Sequence, residues 1–445
     1  IDAVRADYAA DPDWESPQLF AGGDVRNRYL GRPWETTEWI ETTRTEVSAS
    51  WLHEFGSGVN MTLTGSWNEH AQDSFYEGFV YEAQDELGFL DVRFNWALSD
   101  AHLLTFGADS RHEELRSATD SASLDYVSDS FDYDVTGLYL QDTWSAGDKL
   151  EIAAALRYDS VEADFVDPAK PGREIDDTIL SPRIDLRYDH DLRWTSRVSA
   201  GRGYRAPLSF FESDHGILDA ELGFIIAIDQ LERSNSASYT LSFEDARLSA
   251  SGGIAWTRVE NLAALDESAA GVPVLAQLEE EAEAIVADLA FTWRLSQQFS
   301  LGATLESIDY NDTFKAAYGV VPVEERLSLT ADWSTGGWEL FATATWVGER
   351  DLAAYGTPEN PTFDAAGTLP MDTDAEAFWT VDCRVERHLG ERWEIYAGAT
   401  NLLGYTQTED GQTPLFFDGG AYDVAYLWGP LRGREAYAGI KYSFR

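Results

Sequence analysis

The chain has 445 residues, with 79 acidic against 32 basic side chains, a formal net charge of −47 and 16 Trp, 20 Tyr and 22 Phe. Such a charge excludes nucleic acid as a partner, because phosphates need Lys and Arg, and so many aromatic rings exclude a disordered acidic chain. No run approaches the roughly 18 apolar residues of a membrane helix, but a β-barrel leaves no such run to find.

Other exclusions are short. The most apolar stretch, AIVADLAFTW at 284–293, is interrupted by Asp288. Cys383 stands alone, so there is no disulfide framework and no multi-cysteine metal site. His53, His70, His102, His112, His190, His215 and His388 are scattered, with neither an HExxH nor an H-x-H spacing. The sequence therefore assigns no metal, no cofactor and no catalytic residue. The first residue is Ile1, and no charged-then-apolar signal segment follows it.

In chain order, a weak strand pair is predicted around 1–9 and 17–26, joined by the turn-like DPDWES. A strand ending at Trp51 then runs into a short turn at 53–58. Beyond it, period-two alternation recurs to the C-terminus. In LEIAAALRY, Leu150, Ile152, Ala154, Leu156 and Tyr158 fall on one side, and Glu151, Ala153, Ala155 and Arg157 on the other. RLSLTADW sets Leu327, Leu329, Ala331 and Trp333 against Arg326, Ser328, Thr330 and Asp332. WELFATATW sets Trp338, Leu340, Ala342, Ala344 and Trp346 against Glu339, Thr343 and Thr345. The last strand sets Ile440, Tyr442 and Phe444 against Lys441, Ser443 and Arg445.

Connections of two lengths alternate. Short polar turns fall at 99–101, 146–148, 189–192, 244–247, 296–298, 334–337 and 390–392. Long acidic or glycine-rich links fall at 113–130, 161–177, 206–234, 260–280, 310–322, 350–376 and 405–432. Tight turns at one end of a sheet and large loops at the other are the asymmetry of outer-membrane barrels. Aromatic residues track the short turns: Trp96, Trp144, Tyr188, Trp194, Trp293, Phe299, Trp333, Trp338 and Trp393. Amphipathic rings prefer the headgroup layer, so these nine are expected to form a membrane girdle. A propeller or sandwich would place such rings in blade cores. About nineteen strands are expected. An odd count, with the first and last strands both descending, implies that something upstream is missing, because a bacterial barrel has an even number.

Three stretches carry a resemblance: RGYRAPLSFFE at 202–212, YAGATNLLGYTQ at 396–407 and WGPLRGREAYAGIKYSFR at 428–445. In order and in place they resemble the mid-barrel, penultimate-strand and last-strand segments of TonB-dependent outer-membrane receptors. The resemblance implies an all-β, transmembrane antiparallel barrel of the 22-stranded type, located in the bacterial cell outer membrane. It treats 1–445 as barrel, with the N-terminal plug and about three strands absent. It implies import of a scarce nutrient, such as a siderophore-iron complex or cobalamin, energised by the TonB complex through the plug. Outer-membrane lipid and lipopolysaccharide would be further partners of a monomer. Arg445, after the terminal Phe444, departs from the family pattern.

Two loops are the binding candidates, since binding residues concentrate in loops on rigid scaffolds. Pro207 stands where an ascending strand yields to a loop, a place where proline is tolerated. Arg205 is expected to anchor the base of that loop, and Phe210, Phe211, Glu212, Asp214 and His215 to reach ligand. The second loop carries Asp418, Tyr422, Asp423 and Trp428, suited to a flat apolar ligand with a polar or cationic group. The bland alternatives are a loop packed on its own aromatics and a return fixed by Gly429, Pro430 and Gly433. The EEEAE run at 279–283 reads as a solvated rim rather than a calcium site, since no EF-hand spacing accompanies it. Competing functions are a passive porin and a barrel hydrolase built on Ser209, Asp214 and His215, although no GxSxG is present.

Overall fold

The computed structural model describes residues 38–76, 79–119, 130–166, 174–208, 225–267, 273–317, 322–352, 372–407, 412, 416–418, 421–423 and 428–444. The weak pair at 1–9 and 17–26 lies outside them.

The first strands are β1 (Glu38–Gly56), β2 (Val59–Tyr76), β3 (Phe79–Ala97), β4 (His102–Thr119), β5 (Phe131–Ser145), β6 (Leu150–Phe165), β7 (Glu174–Asp189) and β8 (Trp194–Arg205). Next come β9 (Ile225–Ala227), β10 (Glu232–Glu244), β11 (Leu248–Glu260), β12 (Ala263–Glu267), β13 (Pro273–Gln277), β14 (Ala282–Arg294) and β15 (Phe299–Tyr310). A six-residue helix, α1 (Asp312–Ala317), precedes β16 (Glu325–Thr335), β17 (Trp338–Val347), β18 (Arg350–Asp351) and β19 (Asp374–Ala375). The chain ends with β20 (Phe378–Leu389), β21 (Trp393–Thr400), β22 (Phe416–Asp418), β23 (Ala421–Asp423) and β24 (Glu435–Tyr442). Seventeen of these strands, all but β9, β12, β13, β18, β19, β22 and β23, belong to one large sheet. The all-β expectation holds. Two compact units divide the chain: 1–187, 199–237 and 258–282 in the first, and 188–198, 238–257 and 283–445 in the second.

In the first unit, β1 to β6 form an antiparallel meander. Its register builds cross-strand rows with distinct chemistry. Met61, Phe94, Phe106, Leu140 and Leu156 make one row, and Leu63, Val92, Ala108, Leu138 and Tyr158 the next. Leu138, Leu140 and Leu156 in these rows are exposed, a surface that hydrocarbon would cover and water would not. The other face, at the same height, carries Thr64, Asp91, Asp109, Gly137 and Asp159 in register.

Further from the short turns the two faces exchange character. On the formerly apolar face stands an unbroken row of carboxylates, Glu69, Glu86, Glu114, Asp132 and Asp164. On the formerly polar face Leu115, Phe131, Val161, Ala163, Phe165, Ile175 and Ile179 are buried in a hydrophobic core. Leu208, Ile228, Leu231 and Leu275, from the segments after β8 and β11, close over that core. Those segments are tied together where β13 pairs antiparallel with β12 and parallel with β9.

This exchange corrects the expected loop bounds. Strands β4, β6 and β7 run into stretches that the sequence assigns to long links at 113–130 and 161–177. Alternation persists there, but its phase flips, as in β6 between outward Tyr158 and inward Val161. The expected alternation of loop lengths also fails once: β2 and β3 stay paired as far as Tyr76 and Phe79.

In the second unit, β14 to β17, β20, β21 and β24 form another antiparallel meander. Leu289, Leu305, Leu327, Trp346 and Trp379 share one apolar row, and Thr304, Ser328, Thr345 and Thr380 a polar one. The face assignments read from β16 and β17 therefore hold. Cys383 stands between Ala342 and Ala399 on the apolar face.

The short turns fall within the stretches the sequence assigns them, but β1 runs past Trp51 to Gly56, which shortens the turn expected at 53–58 to Ser57 and Gly58. Ser57 and Gly58, and likewise Gly336 and Gly337, have positive φ, the pattern of two-residue hairpins whose twist matches the flanking strands. Eight of the nine girdle candidates, Trp96, Trp144, Tyr188, Trp194, Trp293, Trp333, Trp338 and Trp393, are exposed beside these turns; Phe299 is half-buried.

Candidate functional site

Within the first unit, a cavity of about 690 Å³ opens on the polar face of β3 to β6, directly beneath the buried core. Arg157 is its centre. The guanidinium reaches both carboxylate oxygens of Asp109 on β4, at 2.5 and 2.8 Å, a bidentate geometry that Lys cannot make. Its Nε also donates to Asp159 on its own strand at 2.9 Å. Asp159 is fully buried, so the pair is needed to offset its desolvation.

Glycine makes the arrangement possible. Gly137 lies between Asp109 and Asp159 in the register, and a Cβ there would stand 2.2 Å from Arg157 Nη2 and 2.5 Å from Asp159 Oδ1. Beside it, Tyr139 lies across Gly107, where a Cβ would meet the phenol oxygen at 2.5 Å. The Tyr139 hydroxyl donates to Asp91 Oδ1 at 2.6 Å, tying β5 to β3.

One row higher, Arg111 bonds Glu113 and sits over the Tyr133 ring at 5.4 Å. Arg93 and Tyr204 complete the wall. Three arginines face two aspartates in this lining, so the chain's acidic excess is not concentrated here. Arg93 has no ion-pair partner among the described residues and is exposed to the cavity.

Tyr204, from the RGYRAPLSFFE stretch, lines the cavity, whereas its neighbour Arg205 does not. Arg205 Nε donates to Glu232 at 2.6 Å, and the other Glu232 oxygen accepts from the Ala263 backbone at 2.9 Å. Glu232 is buried. Arg205 thus holds together the bases of the segments after β8 and β11. Gln277 adds to the tie, its Nε2 donating to Gln230 O at 2.8 Å and to Asn261 O at 3.0 Å. Phe210, Phe211, Glu212, Asp214 and His215 lie outside the described residues, as does Ser209. Glu279, Glu280 and Glu281 of the EEEAE run are exposed, with Glu281 paired to Arg258 at 3.0 Å.

The second candidate loop lies in the other unit. Backbone pairing sets Asp418 opposite Ala421, Phe417 opposite Tyr422 and Phe416 opposite Asp423. Trp428 is only 8% exposed and packs with Val347, Leu352, Ala375 and Phe378. Buried Gln407 accepts from the Trp428 and Gly429 backbones at 2.9 and 2.7 Å, and Arg350 donates to Trp428 O. Asn401, with φ of 47°, donates to Tyr405 O at 2.7 Å and Arg432 O at 2.9 Å. The Asn-Leu and Gly-Pro motifs are therefore parts of one clasp that returns the chain to β24.

Sequence reasoning missed the Arg157 network. Arg157 stands with Glu151 on the polar side of LEIAAALRY, but its partner Asp109 lies on another strand, as does the Asp91 that Tyr139 holds, and only the register joins them.

The chain matches the family described as TonB dependent receptor-like, beta-barrel, over residues 2–402. No curated protein matches it in sequence. Among solved structures it is similar to the copper transporter OprC, at TM-score 0.65 and 13% identity, covering 91% of this chain and 66% of that one. It is similar to the FrpB iron transporter from Neisseria meningitidis (F3-3 variant), at TM-score 0.67 and 15% identity, covering 91% and 63%. The siderophore receptor PiuA from Acinetobacter baumannii gives TM-score 0.64 and 9% identity, covering 91% and 65%. This chain thus spans just under two thirds of the length of each of these structures. With the rows of exposed hydrocarbon, the polar opposite face and the family match in hand, the chain belongs to the TonB-dependent receptor β-barrel family, whose barrels reside in the bacterial outer membrane.

Proposed function

We propose that the chain is the barrel of a receptor that takes a scarce small nutrient from outside and imports it with energy relayed by TonB through a plug domain. The observation that carries this reading is the exchange of faces in the first unit. Strand stretches with outward hydrocarbon have an ion-paired inner wall, and stretches beyond them have an inner apolar core capped by two tied segments. Such a wall suits an interior occupied by protein and ligand. In the family the plug fills this interior, and the Arg157 network and Arg93 would face it.

The cargo class supported best is a compact chelate bearing anionic oxygen groups, such as a ferric siderophore. Support comes from the tyrosines and the arginine excess of the cavity, and from the iron, siderophore and copper transport in the names of similar structures. Catalysis has no part in this reading.

The test is uptake of labelled ferric chelates by cells producing the complete receptor. Uptake should vanish when the inner-membrane energy-coupling complex is deleted. Undiminished uptake, or steady ion conductance through the receptor without an energy source, would establish a passive porin instead.

A further inference from the structure

We propose that the polar face of the second unit carries a site for a first-row divalent transition metal such as Zn²⁺, formed by Glu339, Glu386 and His388 beside the short turns. One ligand atom from each of these residues lies within 4.8 Å of the others. The register explains the grouping: Glu339 on β17 is the direct partner of Glu386 on β20, and His388 follows two positions later on the same face. Histidine Nε2 stands 3.3 Å from Glu339 Oε1. An ion about 2.0–2.1 Å from each ligand in tetrahedral geometry separates neighbouring ligand atoms by about 3.3 Å.

The backbone is held at this place. His388 N donates to Gly337 O at 2.8 Å, which pins β20 to the Gly336–Gly337 turn. A cavity of about 330 Å³ lined by Glu339 and Glu386 borders the cluster and leaves room for metal-bound water. One imidazole and two carboxylates are a donor set that suits zinc, cobalt or nickel over magnesium. Neighbouring charge modulates the site. Arg384 bonds Glu386, and Glu394, the partner of His388 across the strand, is held by Lys441 at 3.5 Å. A bound ion would compete with Arg384 for Glu386 and would cross-link β17 to β20.

Calorimetric titration of the tag-free complete receptor in detergent with Zn²⁺ tests this. One saturable equivalent is expected, weakened at least tenfold by His388→Ala and by Glu339→Gln, unchanged by His53→Ala, and not displaced by millimolar Mg²⁺. Co²⁺ should give the absorption of a four-coordinate ion in the wild type, and this readout needs no variant to fold. No saturable binding, equal binding by His388→Ala, or equal displacement by Mg²⁺ would overturn the site.

Discussion

Replacing Leu329 by Arg gives the sharpest test of which face meets lipid. Leu329 is 41% exposed and stands in register with Ala303 and Ala344. It lies four residues along β16 from Trp333, the ring beside the turn. At about 3.4 Å per residue and a strand tilt of about 40°, that is about 10 Å into the bilayer. The apolar band of such barrels is about 25 Å tall, so Leu329 falls close to its middle, where Arg costs about 2–4 kcal/mol. That is roughly a 30- to 800-fold loss in the folding equilibrium. Ser328, one residue away, faces Thr345 with its hydroxyl oxygens 3.5 Å apart, and Ser328→Arg should cost less than about 1 kcal/mol, because the inner wall is wet. Equilibrium unfolding of the complete receptor in lipid vesicles, followed by Trp fluorescence, measures both. Equal costs at the two positions would refute the assignment of faces.

Other perturbations follow from single contacts. Gly137→Ala forces Arg157 and Asp159 apart and should destabilise by about 1–3 kcal/mol, read in the same assay. Gln407→Ala leaves the buried Trp428 N–H and the half-buried Gly429 N–H without their acceptor and should cost about 1–3 kcal/mol, chiefly for the buried group left unsatisfied, seen as a lower denaturation midpoint and faster proteolysis after residue 400. Glu86 stands between Glu69 and Glu114, so Glu86→Lys should stabilise by about 0.2–1 kcal/mol, an increment that high salt removes. At the turn after β10, Asp245 accepts from the Arg247 and Leu248 backbones at 2.8 Å each, which holds its pKa below the ordinary 3.8. A depressed carboxylate supports the folded turn above its unfolded value and loses that support as pH falls through its folded one. The Arg247 and Leu248 amide shifts should therefore titrate with a midpoint below 3.8; a midpoint at or above that value would contradict the contact.

The sequence by itself determined the fold class, the positions of the short turns and the face each residue of β16 and β17 presents. These are local properties. Period-two alternation, paired positive-φ positions such as Gly336–Gly337 and rings beside turns are all written within a few consecutive residues. The tertiary structure decided whatever depends on register. Asp109 meets Arg157, and Tyr139 meets Asp91, across 48 residues of chain, a separation over which no local pattern carries information. It also decided where β6 changes allegiance: after Tyr158 the alternation continues while the apolar face moves inward to Val161 and Phe165, because one environment outside the strand gives way to another. Arg205 shows both halves. Its place before Ala-Pro marked the base of a loop, and only the packing of β10 beside β8 showed that Glu232, buried against Ala263, is what it holds.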